Sequence, residues 1–278
     1  MNYLSYKRPK VGTISVIVPT WNEGAWLPTL LSRLDRLEGI TEIIVADNGS
    51  SDSTADIARR AGCVLVKGGL PAVGRNAGGR LAKEDVLLFV DADVCVSSQV
   101  MATIQKEFDD PSRMLIHFRL IPLTGGMFVR TCYRAVSCYA HWSGKISYHQ
   151  GSAPLICVRR HAFIAVGGFD EHVEVGEDVE FIRRVDRVLG GVAYIRDTPL
   201  YVSARRFELE NKVVYVLKSI MWGLLRLLGL RASVIKYKWQ SYPAFLANHD
   251  GTGIAGTSHQ PPSVIGNARS IPLKSAPR

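Results

Sequence analysis

The stretch Val86-Leu87-Leu88-Phe89-Val90-Asp91-Ala92-Asp93 decides the fold. Five consecutive apolar residues read as a strand covered on both faces, as in a parallel sheet with helices on either side. The run ends in two carboxylates one residue apart. In open α/β sheets ligands bind beyond the carboxyl ends of the strands, so Asp91 and Asp93 stand where a site belongs. Side chains at i and i+2 of an extended segment point the same way. Two carboxylates facing one direction repel unless a cation lies between them, and hard oxygen donors suit Mg²⁺ or Mn²⁺. Taken alone, an Asp-x-Asp is equally an ordinary solvated acidic turn, so its meaning depends on the rest of the chain.

Upstream, strand and helix signals alternate with short connections, the pattern of a doubly wound sheet. Thr13 to Thr20 reads as a strand ended by Pro19. Gly24 to Leu37 reads as a helix, with Trp26, Leu27, Leu30, Leu31, Leu34 and Leu37 at three- and four-residue steps. Glu42 to Ala46 is a second strand, Asp47 to Asp52 is turn chemistry, and a helix follows to about Ala61. Cys63 to Val66 is a third strand, Gly68 to Gly74 a glycine-rich loop, and Arg75 to Leu81 a helix before the Val86 strand. In such a sheet the ends of the first, second and fourth strands share one edge. Thr20, Asn22, Glu23, Asp47, Asp91 and Asp93 therefore converge, and Arg75 at a helix start suits a phosphate. Taken singly, Asp47 reads just as well as an Asx-turn residue and Arg75 as a surface charge.

Four segments carry a resemblance: Val18-Pro19-Thr20-Trp21-Asn22-Glu23, Ile43 to Asp52, Gly74-Arg75-Asn76-Ala77-Gly78 and Phe89-Val90-Asp91-Ala92-Asp93. Their order and spacing resemble the motifs of glycosyltransferase family 2, over about residues 12 to 207. The resemblance implies the GT-A fold, a nucleotide-sugar donor and a divalent metal, Mn²⁺ or Mg²⁺. It places Pro19, Thr20 and Glu23 around the nucleobase and Asp47 on the base, with Asn22 in the same nucleotide-sugar site and Arg75 completing the nucleotide pocket. Asp91 would face the ribose or the metal, and Asp93 would hold the metal on the diphosphate.

The second half is less regular. Ser97 to Phe108 reads as a capped helix, Met114 to Leu120 as a strand, Gly125 to Tyr139 as an aromatic-rich helix, and Pro154 to Arg160 as a strand. His141 to Gln150, with Trp142, Tyr148 and His149, reads either as a sugar-stacking wall or as an ordinary loop with buried rings. Six acidic residues lie between Asp170 and Glu180, and apolar spacing from Val179 onward puts Glu177 and Asp178 at a helix start, where negative charge is stabilised. They read as capping acids on that ground alone. Gly167-Gly168-Phe169-Asp170-Glu171 followed by Gly176-Glu177-Asp178 resembles the family's acceptor region. That resemblance implies Asp178 as the catalytic base and Glu177 as the residue positioning the acceptor. Glu180 stands where many relatives have a second Asp. A strand at about Val192 to Ile195 precedes Ser203-Ala204-Arg205-Arg206-Phe207, whose arginines suit a diphosphate. This run departs from the Gln-x-x-Arg-Trp motif of processive polysaccharide synthases.

The composition sets the outer bounds. A chain of 278 residues with 47% apolar and 21% charged residues is an ordinary globular protein. Its net charge of +9 favours acidic ligands or surfaces, but no compact basic-aromatic motif points to nucleic acid. Five cysteines without a C-x-x-C pair suit a reducing compartment. No apolar run of about 18 residues marks a membrane span. The expected organisation is a GT-A-type, doubly wound, mostly parallel sheet flanked by helices over residues 1–210, with a nucleotide half at 12–95 and an acceptor half at 96–210. An amphipathic helical extension at 211–247 would pack on the domain, pair as a homodimer, or contact the membrane peripherally through 211–238, and 248–278 reads as a disordered tail. The expected activity is a metal-dependent, inverting transfer of a sugar from a nucleotide-sugar, UDP favoured, to an unidentified hydroxyl acceptor, in the cytoplasm or at the cytoplasmic membrane face. Two rivals stand beside it: another α/β nucleotide enzyme, such as a nucleotidyltransferase, and a catalytically silent sugar- or membrane-binding relative. The absence of G-x-G-x-x-G after the first strand disfavours a dehydrogenase.

Overall fold

The computed structural model describes residues 13–145, 149, 152–205, 207, 214, 216–218 and 221. One eight-stranded sheet runs through it, in the order β3-β2-β1-β4-β7-β6-β8-β5. The strands are β1 (Ile14–Thr20), β2 (Ile40–Asp47), β3 (Val64–Lys67), β4 (Val86–Val90), β5 (Val94–Cys95), β6 (Leu115–Pro122), β7 (Leu155–Arg159) and β8 (Val192–Val202). The helices are α1 (Leu27–Leu34), α2 (Thr54–Arg60), α3 (Pro71–Leu81), α4 (Ser98–Phe108), α5 (Met127–Lys145), α6 (Arg160–Ala165) and α7 (Glu177–Leu189).

The first four strands are parallel, with β1 between β2 and β4. The sheet then turns mixed. β7 runs antiparallel to β4 and β6, β8 is parallel to β6, and the short β5 closes the far edge antiparallel to β8. β4 is buried at every position, as its unbroken apolar run requires. Alternate strand residues feed two cores. Val16, Val18, Leu88 and Val90 pack with α1 and α4 on one face. Ile17, Leu87 and Phe89 pack with Phe163, Phe169 and Phe181 on the other, under α3, α6 and α7.

Several boundaries differ from the sequence expectation. α1 begins at Leu27 because Pro28 donates no N–H and belongs in a first turn. α3 begins at Pro71 for the same reason, so Arg75 lies one turn inside the helix rather than at its opening. Pro19 is within β1, opposite Ala46, rather than ending the strand. α5 runs on to Lys145, taking in His141 and Trp142. β8 extends to Val202, with a register irregularity against β6 between Phe118 and Leu120. Ser97 caps α4 as expected, its hydroxyl accepting from the Val100 N–H. Residues 1–12, most of the 211–247 extension and the 248–278 tail lie outside the described residues. Among the described residues no helix is long and apolar enough to cross a membrane.

Candidate active site

The parallel register aligns the carboxyl ends of β1, β2 and β4. Thr20 sits opposite Asp47, and Asp91 follows β4 directly, its N–H bonded to the Pro154 carbonyl at 2.9 Å. Two loops at this edge are stitched together. The Thr20 hydroxyl donates to Asp47 Oδ1 at 3.2 Å, and the Ser50 N–H to Asp47 Oδ2 at 3.0 Å. Asn22 takes a positive φ of 55° and accepts from the Ser51 N–H at 2.8 Å. Asp47 thus braces its own loop through a main-chain N–H three residues on, rather than the two of an Asx-turn, and Asn22 spends its carbonyl on the loop after β2.

Two arginines then tie the halves of the chain together. Arg75 Nη2 lies 2.8 Å from Asp91 Oδ1, and its Nη1 meets Glu177 Oε1 at 2.5 Å, from a residue 102 positions later. Both Arg75 and Glu177 are only 5% exposed. Arg205 forks onto Glu23 at 2.7 and 2.8 Å, and its Nε reaches Asp93 Oδ2 at 2.8 Å. Its guanidinium also lies over the Trp26 ring, 5.6 Å from the centroid. Burial opposes both cations, but the carboxylates outweigh it: Asp91, Glu177 and Asp178 hold Arg75 above its ordinary range, and Asp93 and Glu23 do so for Arg205. Burial likewise raises the carboxyls of Glu23 and Glu177, against the pull of their arginines.

Asp178 is held by main chain instead. Its Oδ2 accepts from the Ala153 N–H at 2.6 Å and its Oδ1 from the Val179 N–H at 2.8 Å. Gly176 precedes it with φ 79°, a conformation that favours glycine and swings Glu177 and Asp178 into the first turn of α7. The edge therefore gathers six carboxylates, Glu23, Asp47, Asp91, Asp93, Glu177 and Asp178, against two guanidiniums. That acidic excess, and hard oxygen donors on Asp91 and Asp93, fit a divalent cation in charge and chemistry. Among the described residues no three His, Cys, Asp or Glu side chains form a complete ligand cluster, so substrate oxygens would supply the remaining positions.

Of the residues singled out in the sequence, Thr20, Glu23, Asp47, Arg75, Asp91, Asp93, Glu177, Asp178 and Arg205 gather on this edge. Pro19 and Asn22 border it, and Arg206 lies outside the described residues. The direct Glu23–Arg205–Asp93 union was not readable, because nothing in a spacing of 182 residues signals it. Asn76 was also missed. Its Nδ2 donates to the Phe169 carbonyl and to Glu171 Oε1, both at 2.8 Å, and its Oδ1 accepts from the Phe169 N–H at 2.8 Å, locking α3 to the Gly168-Phe169 turn. Its place beside Arg75 within a family motif was the available signal.

A parallel-sheet edge that collects carboxylates and arginines from both halves of a chain is an architecture of the GT-A type. Residues 15–145 match the family model of glycosyl transferase family 2. Pre-mycofactocin glycosyltransferase of Mycobacterium tuberculosis is 27% identical over 202 residues, covering 66% of this chain and 42% of the relative. The 4,4'-diaponeurosporenoate glycosyltransferase of Staphylococcus haemolyticus is 34% identical over 34% of this chain and 29% of its own length. The chain thus spans less than half the length of these curated relatives. Among solved structures, glucosyl-3-phosphoglycerate synthase from M. tuberculosis in complex with Mn²⁺, UDP-glucose and phosphoglyceric acid superimposes with a TM-score of 0.58 at 18% identity, over 82% of this chain and 84% of that one. A mannosyltransferase from Pyrobaculum calidifontis, solved with GDP-mannose and Mn²⁺, gives 0.54 at 16% identity over 70% and 58%. These likenesses establish the fold.

Proposed function

We propose that the protein is a metal-dependent, inverting glycosyltransferase that moves a sugar from a nucleotide-sugar, a UDP-sugar favoured, to an acceptor hydroxyl. The observation that carries this reading is the acidic excess at the strand ends beside an aspartate fixed by two main-chain N–H groups. The base and ribose lie over Pro19, Thr20, Asn22 and Asp47, on loops already braced against each other. Asp91 and Asp93 would hold a divalent ion, which supplies positive charge to the leaving diphosphate. Arg75 and Arg205 face the same group and add fixed cations at an edge where water is largely excluded. Asp178 takes the proton from the acceptor hydroxyl as that oxygen attacks the anomeric carbon, the bond to the diphosphate breaks, and the configuration inverts. Glu177, tied to Arg75, positions the acceptor side. All five cysteines are free, in keeping with a cytoplasmic enzyme.

Calorimetric titration of UDP, GDP and dTDP, each with Mn²⁺ and with EDTA, tests the reading on wild type and Asp93→Ala. UDP should bind only with the metal, and Asp93→Ala should weaken that binding at least tenfold. A folded protein that binds none of the three nucleotides would overturn it.

A further inference from the structure

Helix α5 carries apolar residues on both of its sides. Val129, Ser137, Ala140 and Ser143 are buried against the sheet. On the opposite side Met127 is 77% exposed, Trp142 65%, Phe128 48% and Tyr139 43%. Positions 127, 131, 135, 138 and 142 recur at three- and four-residue steps, so Met127, Thr131, Ala135, Cys138 and Trp142 form one outward stripe, with Phe128 and Tyr139 beside it. A helix on a water-facing surface presents polar residues there, and a contiguous apolar patch marks an interaction site. Arg130, Arg134 and Lys145 are exposed along the same helix, which contains no Asp or Glu. Lys145 Nζ lies 4.4 Å from the Trp142 ring centroid. Val214, Leu217 and Met221 are also exposed, and Val216 packs on the cluster around the buried Val129.

We propose that this face of α5 docks on a lipid bilayer rich in anionic headgroups. Charge selects that occupant. A second copy docked symmetrically would set Arg130, Arg134 and Lys145 near their own counterparts. The chain from 222 onward carries seven Lys and Arg against one Asp, so it offers no complement either. Anionic lipid does, and Trp and Tyr rings at headgroup level, with long basic side chains reaching outward, match an interfacial helix. The inner side of the same helix adjoins the candidate active site. Val129 packs with Ala204 and Phe207 on either side of Arg205, and the Tyr133 hydroxyl donates to the Ser203 carbonyl at 3.3 Å. Docking of the outward stripe would bring a membrane-borne acceptor to the site, a consequence that rests on the proposed transfer; the docking itself does not.

Sedimentation of the full chain with vesicles tests it, using phosphatidylglycerol–phosphatidylcholine mixtures against pure phosphatidylcholine. Wild type should bind the anionic vesicles and be released by salt. The double variant Phe128→Glu/Trp142→Glu should bind at least tenfold more weakly, while Ile164→Glu on α6, at an equally exposed apolar residue, should bind as wild type does. If the double variant fails to fold, Arg130→Gln/Arg134→Gln should still lose the preference for anionic lipid. Wild type ignoring anionic vesicles overturns the proposal. So does undiminished binding by the folded double variant, which would move the contact to another segment. A dimer that the double variant dissolves, with no vesicle binding, would make the face a self-association surface instead.

Discussion

Arg205 and Asp178 sit a few side chains apart, and their surroundings give them different work. Arg205 neutralises two carboxylates that have left water, and removing one partner of a buried pair leaves the other charge uncompensated. Arg205→Ala should therefore cost about 3–5 kcal/mol of stability by urea denaturation. Because Asp93 is also the residue proposed to hold a cation, Mn²⁺ should raise the denaturation midpoint of Arg205→Ala more than that of wild type. An equal rise in both would separate Asp93 from metal binding. Asp178 keeps its place through two main-chain N–H groups, one on each oxygen; the amide NH2 of Asp178→Asn would face one of those donors, so the variant should lose about 1–3 kcal/mol of stability and still bind nucleotide. Its transfer rate should fall by about 10²–10⁴, the usual contribution of a general base; retained turnover would give the proton to another group. The places of Asp91 and Asp93 just past a buried strand and of Asp178 at a helix start were readable, but a lone Asp-x-Asp reads equally as a solvated turn and an acid at a helix start as a cap. The Glu23–Arg205 fork was not readable: each residue alone resembles a surface charge, and only the closed sheet brings them together.

The elements show the same division. Strands β1 and β4 were legible because near-continuous burial leaves apolar runs, and β2 through its apolar stretch Ile43 to Ala46, whereas β5 is a two-residue edge pair with no pattern of its own. The ends of α1 and α3 are set by prolines that the apolar spacing ignores. Helix α3 also depends on a close approach. A Cβ at Gly78 would overlap Ile17 Cγ2 on β1, and one at Gly79 would come within 2.7 Å of the Phe163 ring. That contact sets the depth at which Arg75 reaches Asp91 and Glu177. Gly78→Ala should push the helix outward, costing about 1–3 kcal/mol as overpacking does, and should weaken nucleotide binding along with stability. Gly126→Ala, where an added Cβ meets nothing within 4 Å, should cost nothing. Thermal unfolding and nucleotide titration on the two variants check the contrast, and equal behaviour would mean that α3 can move without disturbing Arg75.

At the scale of the molecule, one sheet and two long-range arginine ties join the part of the chain before residue 96 to the part after it, and stability should respond to acid through a residue remote from those arginines. His117 lies inside the β6–β8 region, 3% exposed, with its Nε2 buried and unpaired among the described residues. Its ring packs at 5.1 Å from Tyr194 and 5.7 Å from His149, whose Nε2 is 3.2 Å from Asp186 Oδ2. Burial, with His149 adding to it, lowers the His117 pKa to about 3. The unfolded chain takes up a proton there near pH 6.5, while the folded chain stays neutral until about 3. The contribution is therefore fully present above pH 6.5 and is lost as the pH falls toward 3. At about pH 4.5 the loss is on the order of 3 kcal/mol, a large part of a domain's stability. Burial lowers His149 too, though Asp186 opposes it, and the buried Glu23 and Glu177 carboxyls, whose pKa values are raised, act in the opposite direction with falling pH. The difference between variants isolates His117 from these groups. His117→Leu removes the proton site while keeping an apolar side chain, so its urea midpoint should fall less steeply than that of wild type between pH 6.5 and 4.5. Parallel pH slopes for the two proteins would mean that water or a neighbouring side chain already accommodates the charged ring.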